Sequence, residues 1–215
     1  MKIAAMSDLH LGSPSSKYAQ FLAFMRTLPP DVTLVLNGDT VDADRRLIAP
    51  VHLGVIAEIC AESFKRRIVW ISGNHDIDFV PAAPNRIEFV PSWSDGGVYF
   101  AHGDRLMPAY PLYRLFHLFM KVYRACRAPD TLATMRLARS IPFLLRILKS
   151  GTIANATRFA RKNGYRTVVC GHLHSVIDKT VHGVRYVNTG SWTEWPAFYL
   201  WCEDGNARLV RADQG

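Results

Sequence analysis

The amino-acid sequence predicts an α/β protein in which two sheets pack face to face, with helices on the outside. Three observations lead there. Short β-branched runs alternate with helical stretches as far as Asp76. Nearly every one of those runs ends in a turn built from Asp, Asn, His and Gly. Beyond Ile87 the strands become short and closely spaced, the pattern of an antiparallel or mixed sheet.

In order, Ile3 to Ser7 is a buried strand, followed by Asp8-Leu9-His10. Phe21, Leu22, Phe24, Met25 and Leu28 recur at helical spacing between Ser16 and Leu28, and Pro29-Pro30 stops that helix. Val32 to Leu36 is a second strand, ending in Asn37-Gly38-Asp39-Thr40-Val41-Asp42. A helix through Leu53 to Phe64 leads to a third strand, Arg67 to Ile71, which ends in Ser72-Gly73-Asn74-His75-Asp76. Ile87 to Val90 and Val98 to Ala101 are short strands, the latter running into His102-Gly103-Asp104. Two helical patterns follow, Leu112 to Arg124 and Leu132 to Lys149, the second interrupted near Pro142. Arg166 to Cys170 is a strand that ends in Gly171-His172-Leu173-His174. Val176 to Val181 and Val184 to Val187 come next, and the latter ends in Asn188-Thr189-Gly190-Ser191. Ala197 to Val210 is a hairpin turning across Asp204-Gly205-Asn206.

With 215 residues, 49% of them hydrophobic and 20% charged, the chain is expected to fold as a single globular domain, 1–215. No apolar run approaches the roughly 18 residues that cross a bilayer. A strand beginning at Lys2 leaves no room for a cleaved signal, and four scattered cysteines without a Cys-x-x-Cys pair fit free thiols in a reducing compartment. A cytoplasmic location is therefore expected. The net charge of +8 is unevenly placed. From Arg105 to Arg166 there are 13 Lys and Arg against Asp130 alone, a net +12, while the remainder carries 13 against 17 acids, a net −4. A basic insert, 105–166, thus sits in a mildly acidic frame, which bears on partners rather than on fold.

The strand ends together supply Asp8, His10, Asp39, Asn74, His102, His172 and His174. Ligands of parallel sheets gather at the carboxyl ends of the strands. His172 and His174, one residue apart beyond a strand end, can each serve a different ion of an adjacent pair. Carboxylate, carboxamide and imidazole without thiolate suit manganese, iron or zinc better than calcium. Two ions about 3.5–4 Å apart need a shared carboxylate, and Asp39, on its own turn after Gly38, is the natural bridge. Glycines at 38, 73, 103 and 171 are expected to let the chain turn sharply off each strand. His52, His117 and His182 have no such setting and read as ordinary histidines.

The motif set Asp-x-His, Gly-Asp-x-x-Asp, Gly-Asn-His-Asp, a later His, and Gly-His-x-His resembles that of the calcineurin-like metallophosphoesterases. The resemblance implies an αββα sandwich whose basic insert forms a helical lid. It further implies one cation held by Asp8, His10, Asp39 and His174, and a second held by Asp39, Asn74, His102 and His172. Manganese is the first expectation for the metal, and a hydroxide bridging the two ions would be the nucleophile. The same resemblance assigns His75 to the leaving-group oxygen, with Asp42 holding it and sustaining its proton.

Within the insert, Leu112 to Arg124 is amphipathic and rich in aromatics, and Arg136, Arg139, Arg146 and Lys149 lie among leucines and isoleucines. That mixture fits an anionic amphiphile or a membrane surface. Nucleic acid is not expected, because no nucleic-acid module accompanies the charge, and no protein partner can be inferred. The placement of the insert is similar to the lid of the UDP-2,3-diacylglucosamine hydrolases of lipid A biosynthesis. Tyr113, eleven residues after His102, and the Asn188-Thr189-Gly190-Ser191-Trp192 run add to that likeness. Two departures are His75, where that group carries Arg, and Ala109-Tyr110, where it carries an acidic pair. The expected reaction is hydrolysis of a pyrophosphate or phosphodiester bond on a lipid-bearing nucleotide sugar, with Tyr113, Arg114, Arg136 and Arg139 meeting the substrate at the inner membrane surface. A soluble phosphodiesterase or phosphatase with a small or nucleotide substrate is the alternative, and a non-catalytic interaction scaffold a more distant one.

Overall fold

A computed structural model describes residues 1–42, 48–108, 142–204 and 206–213. The expected substrate residues Tyr113, Arg114, Arg136 and Arg139, the helix at 112–124 and most of the basic insert lie outside the described residues.

One sheet is built on β1 (Lys2–Met6), β2 (Val32–Asn37), β3 (Ile68–Ile71) and β4 (Glu88–Val90), which pair in parallel in that order. Apart from Lys2, every residue of β1, β2 and β3 is buried, as the continuous apolar runs of a covered parallel sheet require. The other sheet takes β5 (Trp93–Asp95), β6 (Val98–Phe100), β7 (Thr167–Cys170), β8 (Val176–Val181) and β9 (Val184–Thr189), in the spatial order β5-β6-β7-β9-β8. Here β6, β7 and β9 run parallel and the two edges are antiparallel. The C-terminal hairpin, β10 (Phe198–Glu203) and β11 (Asn206–Arg211), does not extend this second sheet. It returns to the first, with β10 antiparallel to β1. The N-terminal strand is therefore interior, walled by β2 on one side and β10 on the other.

Alternation along each strand sorts side chains into two buried layers. Ile3, Ala5, Val35, Val69 and Ile71 of the first sheet meet Phe100, Val169 and Val187 of the second, which makes the inter-sheet core. The opposite faces carry helices. Ala4, Met6, Leu34, Leu36 and Trp70 pack under α1 (Tyr18–Thr27) and α2 (Pro50–Glu62), through Phe21, Phe24, Met25, Val55 and Ile59. Val168, Cys170 and Tyr186 pack under α3 (Pro142–Lys162) through Ala156 and Ala160. Helix, sheet, sheet, helix is the layer order.

Local chemistry explains where α2 differs from expectation. Pro50 opens α2 three residues before Leu53, because a proline is well tolerated in the first turn, where no backbone N–H is needed. Pro142 is the first described residue of α3, which runs on through Gly151 to Lys162, while the stretch 132–141 of the expected helix lies outside the described residues. The three-residue β5 had no sequence signal. His182, read as ordinary, occupies the β8–β9 hairpin turn with a left-handed φ of 48°.

Candidate metal centre

The parallel strands β1, β2, β3, β6 and β7 deliver their carboxyl-end loops to one place. Asp8 and His10 follow β1, Asp39 and Asp42 follow β2, and Asn74 and His75 follow β3; His102 follows β6, while His172 and His174 follow β7. Among the described residues three donor clusters form, each with ligand atoms within 4.8 Å of one another: Asp8 with His10 and His174; His10 with Asp39 and His75; Asp39 with His102 and His172. Asn74 is exposed, but the chain on both sides of it is tied to Asp39. Gly73 packs on the Asp39 carboxylate, and the His75 N–H donates to Asp39 Oδ1 at 2.9 Å.

Five of the donor residues have left-handed backbones: Asp8 (φ 57°), His10 (48°), Asp39 (50°), His172 (64°) and His174 (44°). Such a conformation is unfavourable for any residue with a side chain and persists only where its surroundings impose it. The loops impose it on one another. Asp8 N–H donates to the Gly38 carbonyl at 3.0 Å, His10 N–H to the Asp39 carbonyl at 3.0 Å, and Gly171 N–H to the His102 carbonyl at 2.9 Å. Glycine serves two purposes among these turns. Gly38 (φ 86°) and Gly103 (φ 109°) supply the expected left-handed turn. Gly73 and Gly171 do not, and are needed for close approach: a Cβ would strike the Asp39 carboxylate at 73, and Ser7 and the Asp8 carboxylate at 171.

Two imidazoles are aimed by bonds to one nitrogen so that the other faces inward. His10 Nδ1 lies 2.7 Å from Asp42 Oδ1, which leaves Nε2 3.1 Å from His174 Nε2 and 3.8 Å from Asp8 Oδ1. His102 Nδ1 donates to the Asn37 carbonyl at 3.2 Å; its buried Nε2 faces Asp39 Oδ2 at 3.1 Å, an ion pair off the ideal hydrogen-bond geometry. A cation could replace the proton between these two donors and be bound by both. Asp42, expected to hold His75, lies 3.4 Å from His75 Nδ1 and bonds more closely to His10.

Charge fits the same use. Burial would push the Asp8 carboxyl up, but His174 and His102 outweigh it and hold it down at about 2. Asp39 is likewise held well below the carboxylate range, burial being outweighed by His102 and then His75. Burial and the neighbouring His102 depress His172 to about 3, so its ring is neutral and ready to bind a cation. Burial also opposes charge on His102, but Asp39 lifts it to about 10, so without a cation it keeps a proton that a cation would displace. Oxygen and imidazole donors, two of them carboxylates that stay ionised, suit divalent cations.

Residues not singled out from the sequence complete the frame. Asp76 accepts N–H bonds from Thr40 (2.8 Å) and Gly73 (2.7 Å), joining the loops after β2 and β3. The Asn37 side chain donates to the Val169 carbonyl at 3.2 Å, across the two sheets. His52 is buried and accepts the Gly12 N–H on Nδ1 at 2.7 Å, a packing role. Beside the centre lies an open cleft of about 470 Å³, lined by Trp70, Ile77, Phe79, Val80, Phe89 and Arg105 among others.

Residues 1–176 match the sequence pattern of the calcineurin-like phosphoesterases. The chain belongs to that family. As a calcineurin-like phosphoesterase it is a metal-dependent hydrolase of phosphate esters, with divalent cations as its cofactor. No curated protein matches it. Among solved structures, Yfce, a phosphoesterase from E. coli, is similar over 100% of this chain and 94% of its own, at 14% identity and a TM-score of 0.53. Vacuolar Protein Sorting 29 from Cryptosporidium parvum is similar over 97% and 95%, at 13% identity and a TM-score of 0.50. A mutant cold-active protein tyrosine phosphatase is similar over 100% and 78%, at 14% identity and a TM-score of 0.53. At these identities the likeness establishes the fold. Among the described residues no helix is long and apolar enough to cross a membrane.

Proposed function

We propose that the protein hydrolyses a pyrophosphate or phosphodiester bond at a two-cation centre, on a substrate that joins a nucleotide-like phosphate to an apolar group. The reading is carried by Asp39, a carboxylate that groups with His10 on one side and with His102 and His172 on the other, as a bridge between adjacent cations would. Asp8, His10, Asp39 and His174 would hold one cation, and Asp39, Asn74, His102 and His172 the other. Manganese is the first metal to try, with iron and zinc next. Once bound, the pair would acidify water and offset charge on the phosphoryl oxygens.

The chain's own residues supply the rest. Asp42 fixes the His10 tautomer and keeps its Nε2 turned inward. His75, whose Nδ1 lies 3.4 Å from Asp42, would give a proton to the leaving oxygen. Ile77, Val80 and Phe89 are 54%, 68% and 38% exposed and offer apolar surface along the cleft beside the centre. That surface and the aromatic, basic segment 112–139 favour an amphiphile, of which UDP-2,3-diacylglucosamine is the specific candidate. Such a protein would work in the cytoplasm at the inner membrane surface.

The test is hydrolysis, with manganese present, of UDP-2,3-diacylglucosamine, a cyclic nucleotide, an aryl phosphodiester and an aryl phosphomonoester. Turnover of the amphiphile that increases with anionic vesicles or mixed micelles supports the reading. Preference for the cyclic nucleotide or monoester, indifferent to lipid, replaces it with a soluble phosphodiesterase or phosphatase. No metal uptake and no turnover would leave an interaction scaffold.

A further inference from the structure

The end of β9 and the loop after it supply no cation donor, yet they hold the backbones of two loops that do. Ser191 Oγ and the Trp192 N–H both donate to the Asp8 carbonyl at 3.0 Å. Asn188 Nδ2 donates to the Gly171 carbonyl, immediately before His172. The Asn188 side chain is itself fixed, because its Oδ1 accepts the Gly190 N–H at 3.1 Å. Ser7 ties in the same stretch, with its hydroxyl 2.8 Å from Thr189 Oγ1 and 3.2 Å from the Gly190 carbonyl. Asn188 is fully buried and Ser191 8% exposed, so water does not compete for these carbonyls.

The two carbonyls adjoin strained residues. Asp8 and His172 are both left-handed, and that geometry directs their neighbouring peptides away from the strand ladders. The Gly171 carbonyl also accepts the Leu173 N–H at 2.7 Å and the Asp8 carbonyl the Trp192 N–H, so the Asn188 and Ser191 side chains each add a second bond that fixes the direction of a carbonyl already held by backbone. The end of β9 and the loop after it provide that further bond on each side of the centre, Ser191 on the Asp8 side and Asn188 on the His172 side. We infer that Asn188 and Ser191 are positioning residues that act through the backbones of Asp8 and Gly171 and set the separation of the two cation sites. This rests on the reading of Asp8 and His172 as cation donors.

Position 191 allows a comparison free of volume, because Ser191→Thr and Ser191→Val differ by a hydroxyl alone. At 188, Asn188→Asp keeps the shape but turns a carboxylate toward the Gly171 carbonyl. The full-length protein and these variants are stripped of metal, checked by circular dichroism and thermal melting, and titrated with manganese by calorimetry. Electron paramagnetic resonance of the loaded proteins reports whether the two ions are spin-coupled. The expected result is two coupled ions in the unmodified protein and in Ser191→Thr. One affinity falls about 10- to 100-fold in Ser191→Val and in Asn188→Asp, with weakened coupling and little change in metal-free melting. Equal losses in Ser191→Thr and Ser191→Val, or unchanged affinity and coupling in both Ser191→Val and Asn188→Asp, overturn the inference. So does a metal-free melting temperature that collapses in step with affinity. If the unmodified protein takes up no manganese, the donor reading itself fails, which is a separate outcome.

Discussion

Asp42 lies between two imidazoles, 2.7 Å from His10 and 3.4 Å from His75, and the two contacts have different consequences. Through His10 it aims a donor; toward His75 it makes only the longer contact. Asp42→Asn should therefore weaken manganese binding about 10- to 100-fold and slow turnover as well. His75→Ala should lower kcat about 10²- to 10⁴-fold while two ions still bind, read by metal analysis beside kinetics. Loss of an ion with His75 would make it a ligand. His102 sets the pH behaviour. Its ordinary value is 6.5 and in the metal-free fold it stands at about 10, burial being outweighed by Asp39. The stabilisation from its proton is complete below pH 6.5 and is lost as pH climbs through about 10. Cations need the ring bare. Raising pH from about 7 to about 9 should tighten manganese binding by up to about tenfold per unit and lower the metal-free melting temperature.

Among the elements, α3 meets its sheet through Ala156 and Ala160, both fully buried, so the interface has no room to spare. Ala160→Leu should cost ~1–3 kcal/mol, seen as a lower urea midpoint with metal stoichiometry unchanged. Gly171→Ala should do the reverse, because its methyl would enter the space of Ser7 and the Asp8 carboxylate: cation binding should fall far more than stability. The strand-end loops could be read from the sequence because β1, β2, β3 and β7 are unbroken apolar runs, each followed at once by its donors. The part played by Asp76 could not, since it depends on where the Thr40 and Gly73 N–H groups point after folding. Nor could β5 be read, whose three half-exposed residues carry no alternation long enough to register. Asn188 and Ser191 resembled turn residues for the same reason: their partners lie in other loops.

For the whole molecule, the sequence suggested two sheets with outer helices but not which sheet the C-terminal hairpin would join. An apolar strand such as Lys2–Met6 reads alike whether it ends at an edge or lies in the middle. With β10 against it, β1 is interior, and Leu200 and Cys202 complete the inter-sheet core. Truncation after Pro196 should bare the β1 edge and yield insoluble chain; soluble truncated protein that still binds two ions would contradict this. The same closure orders events during synthesis. A ribosome releases Asp8 and His10 some 180 residues before Ser191, Trp192 and β10. A nascent chain thus carries the first of the proposed donors without the groups that restrain them, and cation capture is expected only once nearly all of the described structure has left the exit tunnel.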